Sequence, residues 1–296
     1  MDYNRFIEYL KYEKRSSTHT VTAYECDLRQ FAEYMETILE ITELEKVESG
    51  DIRTWILTLL EDDKLSPRSV SRKLSALRDF YRFELKQGRV KHNPMEGIQG
   101  PKFREKLPEY LEIKDIERLF RPDMFEDSFE GWRDQTILEL FYATGMRLSE
   151  LLNIRRLDIN FYENNVKVLG KRNKERIIPF GKRMRDLLTK YLEYYVEIIA
   201  PENENFYIFV AANGRQLYPK AVYRIVRKYL DMVTTIDKRS PHVIRHTFAT
   251  HMLNRGADLN AIKEILGHSS LAATQVYTHN SIEQLKSIYK QAHPRA

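Results

Sequence analysis

The chain has 296 residues, a length that predicts two domains, and 42% of its residues are hydrophobic, as is usual for a globular protein. No apolar run approaches the roughly 20 residues that a membrane span requires, so we expect no membrane partner. Cys26 is the only cysteine, which excludes a disulfide framework and fits the reducing cytoplasm.

The positive charge of the first third of the chain is concentrated in one segment. Residues 1–65 contain 8 basic and 15 acidic residues, whereas residues 66–91 contain 8 basic and 2 acidic residues. The net charge of the whole chain, +5, says little about partners, because many basic proteins bind no polyanion. The local excess at residues 66–91 is more informative, and it predicts a surface that contacts a polyanion.

Residues 1–92 are predicted to form a helical domain. Ser66 followed by Pro67 is typical of an N-cap and the first helical position, and Ser49 is the expected N-cap of the preceding helix. Apolar residues at spacings of three and four indicate two earlier helices. The first predicted helix covers residues 2–14, and the second runs from a cap among residues 16–18 to about residue 40. The third and fourth predicted helices begin at residues 49 and 66.

The helix that begins at Ser66 combines an apolar stripe with a basic surface. Val70, Leu74, Leu77 and Tyr81 share one face, and arginines and lysines cover much of the remainder. Such a helix is either solvated or lies along a DNA backbone, whose phosphates supply most of the affinity. The predicted DNA contacts are Arg68, Arg72, Lys73, Arg78 and Arg82, with Lys102 and Arg104 beyond the helix.

Helix breakers separate this domain from the next. Prolines and glycines recur through residues 93–108, which are predicted to form an extended linker with a basic face. A second domain is predicted over residues 109–296, giving a mainly α fold with a small β-sheet (α+β). Its β-like runs are residues 158–162, 166–169 and 176–179, with a turn over residues 170–175. Its helices are expected at residues 112–120, 131–144, 182–200, 219–234 and 281–292, with shorter ones between, and the acidic segment 121–132 has no predicted role.

Residues 240–280 concentrate the side chains with chemical potential. His242 and Arg245 are three residues apart and share a helix face, and Gly256 and Gly267 are expected to end two helices. His268 follows Gly267, and Tyr277 comes nine residues later. Outside this stretch, Arg147 stands just beyond a turn at Gly145, and Lys171 lies in the turn between two β-like runs.

These residue types suit a tyrosine that attacks a phosphodiester. Two guanidiniums can hold the non-bridging oxygens by paired hydrogen bonds. A phenol is a weak nucleophile at neutral pH and needs a cationic site or a nearby base, and the departing 5′ oxygen needs a proton donor such as a lysine. Taken singly, each residue could be an ordinary surface or core residue. Their order and spacing together favour the catalytic interpretation.

A metal or nucleotide site is not indicated. His242 and His246 are four residues apart, as in a zinc helix, but Val243 stands where the glutamate of that motif belongs and no third ligand follows. The chain also has no phosphate-binding loop of the Gly-x-x-x-x-Gly-Lys-Ser/Thr type. We therefore expect neither a metal ion nor another cofactor.

The motif order TGMRLSELL, GKRNKERIIPF, SPHVIRHTFATHML and LGHSSLAATQVYTH closely resembles the tyrosine recombinases of the phage integrase family. The whole chain, including its HPRA ending, is most similar to the bacterial Xer group. The resemblance implies that Arg147 and Arg245 clamp the scissile phosphate, that Lys171 is the general acid and that His242 and His268 assist. It implies Tyr277 as the nucleophile, which forms a 3′-phosphotyrosyl intermediate.

The resemblance also implies the wider organisation. Residues 1–92 would be a helical core-binding (SAM-like) domain, residues 93–108 a linker and residues 109–296 the catalytic domain, which together form a C-shaped clamp on double-stranded DNA. A homotetramer, or a heterotetramer with a related recombinase, would join two dif-like sites to resolve chromosome dimers in the cytoplasm, with a septal DNA translocase as a candidate activator. The alternatives are an integrase of a mobile element, a topoisomerase of type IB and a non-catalytic architectural DNA-binding protein.

The last predicted helix, residues 281–292, has a narrow apolar stripe. Ile282, Leu285 and either Ile288 or Tyr289 fall at spacings of three and four, with polar residues between them. The stripe could fold back on its own domain. We expect instead that it docks on a neighbouring subunit, because a docking helix so close to Tyr277 would offer a way to regulate cutting.

Overall fold

The computed structural model describes residues 2–102, 109–170, 174–199, 205–267 and 279–295, without the side chains of residues 279–282. The chain divides into two compact units, Met1–Lys106 and Leu107–Ala296, each with its own hydrophobic core. None of the helices in the described ranges is long and apolar enough to cross a membrane.

Over its described residues, the first unit contains four α-helices, as the sequence predicted. Ser17 caps α2, and Ser66 caps α4 with Pro67 in its first turn. The cap of α3 differs from the prediction: Glu48 is the N-cap and forms a reciprocal capping box with Asp51. The helices are α1 (Asn4–Glu8, continued by a π-helical turn Tyr9–Glu13), α2 (Thr18–Thr37), α3 (Ser49–Glu61) and α4 (Pro67–Lys86).

The core of the first unit forms around α4. Its predicted stripe, Val70, Leu74, Leu77 and Tyr81, is completely buried. Aromatic rings from the other helices pack against it, and the ring centroids of Phe31 and Trp55 lie 5.0 Å apart. One face of α4 is therefore fixed by packing, and its remaining face carries the basic residues.

The second unit joins a helical body to a small antiparallel sheet in the order β1-β2-β3. In the register, Val168 is opposite Arg176 and Leu169 is opposite Glu175, so β2 and β3 form the predicted hairpin. Outside the sheet, Val210 forms an isolated antiparallel bridge with Gln216. The strands are β1 (Ile159–Asn160), β2 (Asn165–Leu169) and β3 (Glu175–Pro179).

The helices of the second unit enclose α6. This helix is buried along most of its length, as expected for a central helix, and its buried residues include the charged Arg133, Asp134 and Glu139. It packs against α8 and α10, and its C-terminal end brings Gly145 to the first turn of α7. The helices are α5 (Ile113–Leu119), α6 (Phe129–Thr144), α7 (Leu148–Leu152), α8 (Lys182–Ile199), α9 (Pro219–Val233), α10 (Pro241–Asn254), α11 (Leu259–Leu266) and α12 (His279–Ala292).

The acidic segment before α6 is fastened to the helical body. Asp127 Oδ1 accepts hydrogen bonds from Trp132 Nε1 at 2.7 Å and from the Tyr194 hydroxyl at 3.0 Å. These two bonds lower the pKa of Asp127. The segment thus forms hydrogen bonds with both α6 and α8.

Helix α12 packs on its own unit, so the expectation that it docks on a neighbour is wrong for this structure. Leu285, Tyr289 and Ala292 are buried against the core, and α12 contacts β3, α10 and α11. Beyond the helix, Arg295 forms a two-pronged ion pair with the buried Glu139, at 2.7 and 2.9 Å.

Candidate active site

The end of α6 meets the middle of α10 at Gly145. This residue has a left-handed backbone (φ 59°), and a Cβ added to it would lie 2.5 Å from Phe248 Cδ1 and 2.8 Å from Leu266 Cδ2. Arg245 spans the same contact: it donates from Nη1 to the Gly145 carbonyl at 2.6 Å and from Nη2 to the Leu266 carbonyl at 2.7 Å. Two backbone carbonyls therefore fix the Arg245 guanidinium.

Arg147 lies at the start of α7 and, like Arg245, bonds to the turn that ends α11. Its backbone N–H and its Nη1 both donate to the Glu150 carboxylate, at 2.7 and 2.9 Å. Its Nη2 donates to the Gly267 carbonyl at 3.1 Å. Arg245 and Arg147 are thus bonded to consecutive carbonyls, those of Leu266 and Gly267. We call Arg147 and Arg245 the arginine pair.

The electrostatics of the arginine pair favour an anion. Burial and, after it, the neighbouring positive charge of Arg147 together lower the pKa of Arg245 to about 10, while Glu150 opposes the shift. Mutual repulsion raises the free energy of two cations that are held close together, and an anion placed between them would lower it again. The arrangement suits a bound phosphate.

A buried ion pair that the sequence analysis missed lies beneath the arginine pair. Arg176 in β3 donates from Nη1 and Nη2 to the two carboxylate oxygens of Glu150, both at 2.7 Å. Burial alone would raise the pKa of Glu150, but the hydrogen bonds and charge of Arg176, with those of Arg147, hold it below its ordinary value. The spacing of Arg147 and Glu150 at the start of a helix was the available signal, since residues three apart can form a capping box.

Two of the three histidines of α10, His242 and His246, lie on its first two turns. His242 is exposed one turn before Arg245, as the spacing predicted. His246 is half-buried, burial lowers its pKa, and its ring centroid lies 6.4 Å from that of Tyr110. Within the described ranges, no group of three or more His, Cys, Asp or Glu side chains is arranged to hold a metal ion.

The other three predicted catalytic residues, Lys171, His268 and Tyr277, lie outside the described residues. Gly170, which precedes Lys171 in the sequence, donates its N–H to the Lys174 carbonyl at 2.8 Å and so closes the end of the hairpin. Gly267 ends α11 with a left-handed backbone (φ 66°), as its sequence position predicted.

Comparison with known proteins covers both units. The model of the phage integrase N-terminal SAM-like domain matches residues 3–88, and that of the phage integrase family matches residues 109–284. Tyrosine recombinase XerC of Chlorobaculum parvum is 39% identical, covering 98% of this chain and 94% of the relative. Tyrosine recombinase XerD of Listeria monocytogenes is 37% identical, covering 98% of each. The chain belongs to the phage integrase family of tyrosine recombinases.

The fold agrees with that membership. A solved structure of the XerH site-specific recombinase, bound to a palindromic difH substrate in a post-cleavage complex, matches with a TM-score of 0.72. The match covers 95% of this chain and 78% of that one, at 21% sequence identity. This match supports the fold, while the family models and the sequence relatives identify the protein as a site-specific recombinase and confirm the resemblance seen in the motif order.

Helix α4 of the recombinase carries most of the predicted DNA contacts, and they differ in exposure. The side chain of Arg82 is 75% exposed and that of Arg72 is 52% exposed, although Arg72 also pairs with Asp27. Lys73 is buried, and its ammonium group bonds to Asp27 and Gln30. This burial counts against Lys73 as a phosphate contact. Of the remaining predicted contacts, Arg68 and Lys102 are exposed. Arg78 is half-buried and donates a hydrogen bond to the Ile98 carbonyl. Arg104 lies outside the described residues.

Helix α9 presents a second basic surface on the unit that carries the arginine pair. Its outward face is exposed, and Arg224 donates from Nη2 to the Tyr218 hydroxyl at 2.6 Å. The buried face of the same helix packs into the core. The sequence analysis predicted this helix at residues 219–234 but did not assign it to an interface. The exposed residues are Lys220, Tyr223, Arg224, Arg227 and Lys228.

Proposed function

We propose that this recombinase cuts and rejoins double-stranded DNA at a dif-like site and so resolves chromosome dimers during segregation. The observation that carries the proposal is the arginine pair, whose guanidiniums bond to consecutive carbonyls at the end of α11. Two forked cations converging on one turn match the two non-bridging oxygens of a phosphodiester. The names of the XerC and XerD relatives, and the difH substrate in the XerH structure, support the choice of site.

In the proposed reaction, the arginine pair holds the scissile phosphate, and the Tyr277 hydroxyl passes its proton to a nearby base as its oxygen attacks the phosphorus. The bond from phosphorus to the 5′ oxygen breaks, and Lys171 donates a proton to that oxygen as it leaves. His242 and His268 assist the same transition state. The products are a 3′-phosphotyrosyl bond and a free 5′ hydroxyl, and attack by a 5′ hydroxyl of the partner strand reverses the step. The covalent bond conserves the energy of the diester, so the scheme needs no metal ion or nucleotide.

The two units would divide the work. Residues 1–92 would form the core-binding domain, with α4 on the DNA backbone through Arg68, Arg72, Arg78 and Arg82. Residues 93–108 would link it to a catalytic domain over residues 109–296, and Lys102 and Arg104 in this linker would also contact the DNA. Joining two sites requires four subunits, either identical or shared with a related recombinase, and a septal DNA translocase remains a candidate activator. A chromosomal substrate would place the enzyme in the cytoplasm.

The decisive test is the covalent adduct. A nicked suicide substrate with a dif-like sequence should trap the 3′-phosphotyrosyl product, seen as a slower band on a denaturing gel. Tyr277→Phe should abolish the band while binding, measured by gel shift, stays within about threefold, because only the hydroxyl is lost. Tyr162→Phe is the matched control, since Tyr162 is 93% exposed in the turn between β1 and β2. An adduct that persists in Tyr277→Phe would show that another residue attacks.

The second candidate function is integration of a mobile element, which would use the same chemistry. Mapping covalent adducts across the host genome separates the two functions. Adducts at one chromosomal site that is independent of any inserted element would support dimer resolution. Adducts confined to the ends of an inserted element would instead assign the enzyme to that element.

A further inference from the structure

Arg176 is a charged residue in a position where a strand normally buries an apolar one. In β3, Glu175 is exposed and Ile178 is buried, and Arg176 is only 5% exposed. Burying a guanidinium without partners is far more costly than burying an aliphatic side chain. The contacts of Arg176 therefore indicate what the residue is for.

All three kinds of guanidinium nitrogen in Arg176 are used. Nη1 and Nη2 bind the two oxygens of Glu150, and Nε donates to the Ile265 carbonyl at 2.7 Å. The Ile265 carbonyl is the one before the Leu266 carbonyl, which accepts from Arg245, and the Gly267 carbonyl, which accepts from Arg147. One side chain thus touches both supports of the arginine pair: the carboxylate that holds Arg147 and the turn that holds both arginines.

The turn that ends α11 is shaped around Arg176. A Cβ added to Gly267 would lie 3.0 Å from Arg176 Nη1 and 3.2 Å from its Cδ and Cζ. A Cβ added to Gly170, at the end of the hairpin, would lie 3.4 Å from the same Nη1. Two glycines therefore leave the space that the guanidinium fills, and the turn cannot shift without moving Arg176.

We propose that Arg176 is a positioning residue for the arginine pair: it fixes the turn at the end of α11 and holds Glu150 against Arg147. The proposal rests on the proposed function only in taking the arginine pair as the phosphate clamp. A lysine cannot replace the planar fork, because one ammonium group cannot reach two carboxylate oxygens and a carbonyl in this geometry. Displacing catalytic groups by about 1 Å can slow a reaction by about 100-fold.

The test compares Arg176→Lys with a matched control, Arg133→Lys. Arg133 is also buried, at 8% exposed. It donates from Nε and Nη2 to one carboxylate oxygen, Asp134 Oδ1, and from Nη1 to the Val210 carbonyl. Single-turnover cleavage of the suicide substrate at saturating DNA gives the rate, and gel shift gives the affinity. We expect Arg176→Lys to slow cleavage about 10- to 100-fold, with the dissociation constant changed less than about threefold. Equal cleavage rates in the two variants, at equal folded fraction, would overturn the proposal.

The pH profile provides a readout that lost stability alone would not move. In Arg176→Gln, Glu150 keeps Arg147 but loses its stronger partner, so it should bind a proton more readily and release Arg147. The cleavage rate of Arg176→Gln should therefore rise with pH relative to the unchanged enzyme, and a constant ratio across the profile would refute the positioning role. An adduct in Tyr277→Phe would refute the proposed nucleophile instead, so failure of the two ideas can be distinguished.

Discussion

Replacing Gly145 by alanine tests the packing on which the arginine pair depends. The left-handed backbone at φ 59° costs an L-residue about 1–2 kcal/mol. The added Cβ would also lie 2.5 Å from Phe248 Cδ1 and 2.8 Å from Leu266 Cδ2. Overpacking of this kind costs a further 1–3 kcal/mol or so. We expect Gly145→Ala to lower the free energy of unfolding by about 2–5 kcal/mol in all.

Gly256→Ala is the matched control because it separates the two costs. Gly256 also has a left-handed backbone (φ 83°), but a Cβ there would meet nothing within 4 Å. Only the backbone cost of about 1–2 kcal/mol should apply to it. Urea denaturation followed by circular dichroism gives both changes in the free energy of unfolding. If Gly145→Ala is no more damaging than Gly256→Ala, the close approach of α6, α10 and α11 at Gly145 is wrong.

Gly145→Ala should also impair cleavage in the fraction that stays folded. The Gly145 carbonyl accepts the 2.6 Å bond from Arg245, and Leu266, whose side chain the new methyl would push, supplies the second carbonyl. Single-turnover cleavage at a temperature well below the unfolding transition measures this effect separately from stability. A folded Gly145→Ala enzyme that cleaves at the normal rate would show that the position of Arg245 does not depend on this contact.

Three further predictions follow from the same structure. Lys171→Ala should slow cleavage by about 100-fold or more, and a substrate with a 5′-thiol leaving group, which needs little protonation, should recover most of the loss; no recovery would exclude Lys171 as the acid. Arg68→Gln and Arg82→Gln should each flatten the salt dependence of DNA binding by about one unit of slope. Lys73→Gln should instead lower stability, because it leaves the buried Asp27 carboxylate with one fewer partner. A flatter salt dependence in Lys73→Gln, with unchanged stability, would place Lys73 on the DNA. Burial lowers the pKa of His293 from 6.5 to about 3, so below about pH 6.5 the unfolded chain binds a proton that the native chain does not. Stability should therefore fall as the pH drops below about 6.5. The variant His293→Gln should flatten this dependence of stability on pH, and an unchanged slope would refute a neutral, buried His293.

Local periodicity was enough to predict much of the fold. The α4 stripe was predictable because four apolar residues at spacings of three and four can face only one side, and all four are buried. The N-cap at Ser66 was predictable because a serine followed by proline suits the start of a helix. The hairpin of β2 and β3 was predictable because its turn residues separate two β-like runs. Each of these features depends on neighbours in the sequence.

Pairs that form across the fold could not be predicted in this way. Lys73 lies in a basic helix and was predicted to bind phosphate, but its partner Asp27 is 46 residues earlier in α2. Arg176 lies in a stretch rich in charge and gave no sign of being buried, because Glu150 is 26 residues away and the Ile265 carbonyl 89. The sequence showed which residues are charged, and only packing decides which of those charges are neutralised inside.

The C-terminal tail illustrates a further consequence of this packing. His293 is buried, bonds through Nε2 to the Tyr142 carbonyl at 3.1 Å and stacks on Tyr289 with ring centroids 4.7 Å apart. Arg295 pairs with Glu139, whose side chain is 2% exposed. Docking α12 on a neighbouring subunit would have to break this ion pair and leave the Glu139 carboxylate buried with only the longer contact to Arg183, at 3.8 Å. Exchange of α12 between subunits therefore requires a neighbour that supplies an equivalent cation in the same place, and a second copy of this chain carries one in its own Arg295.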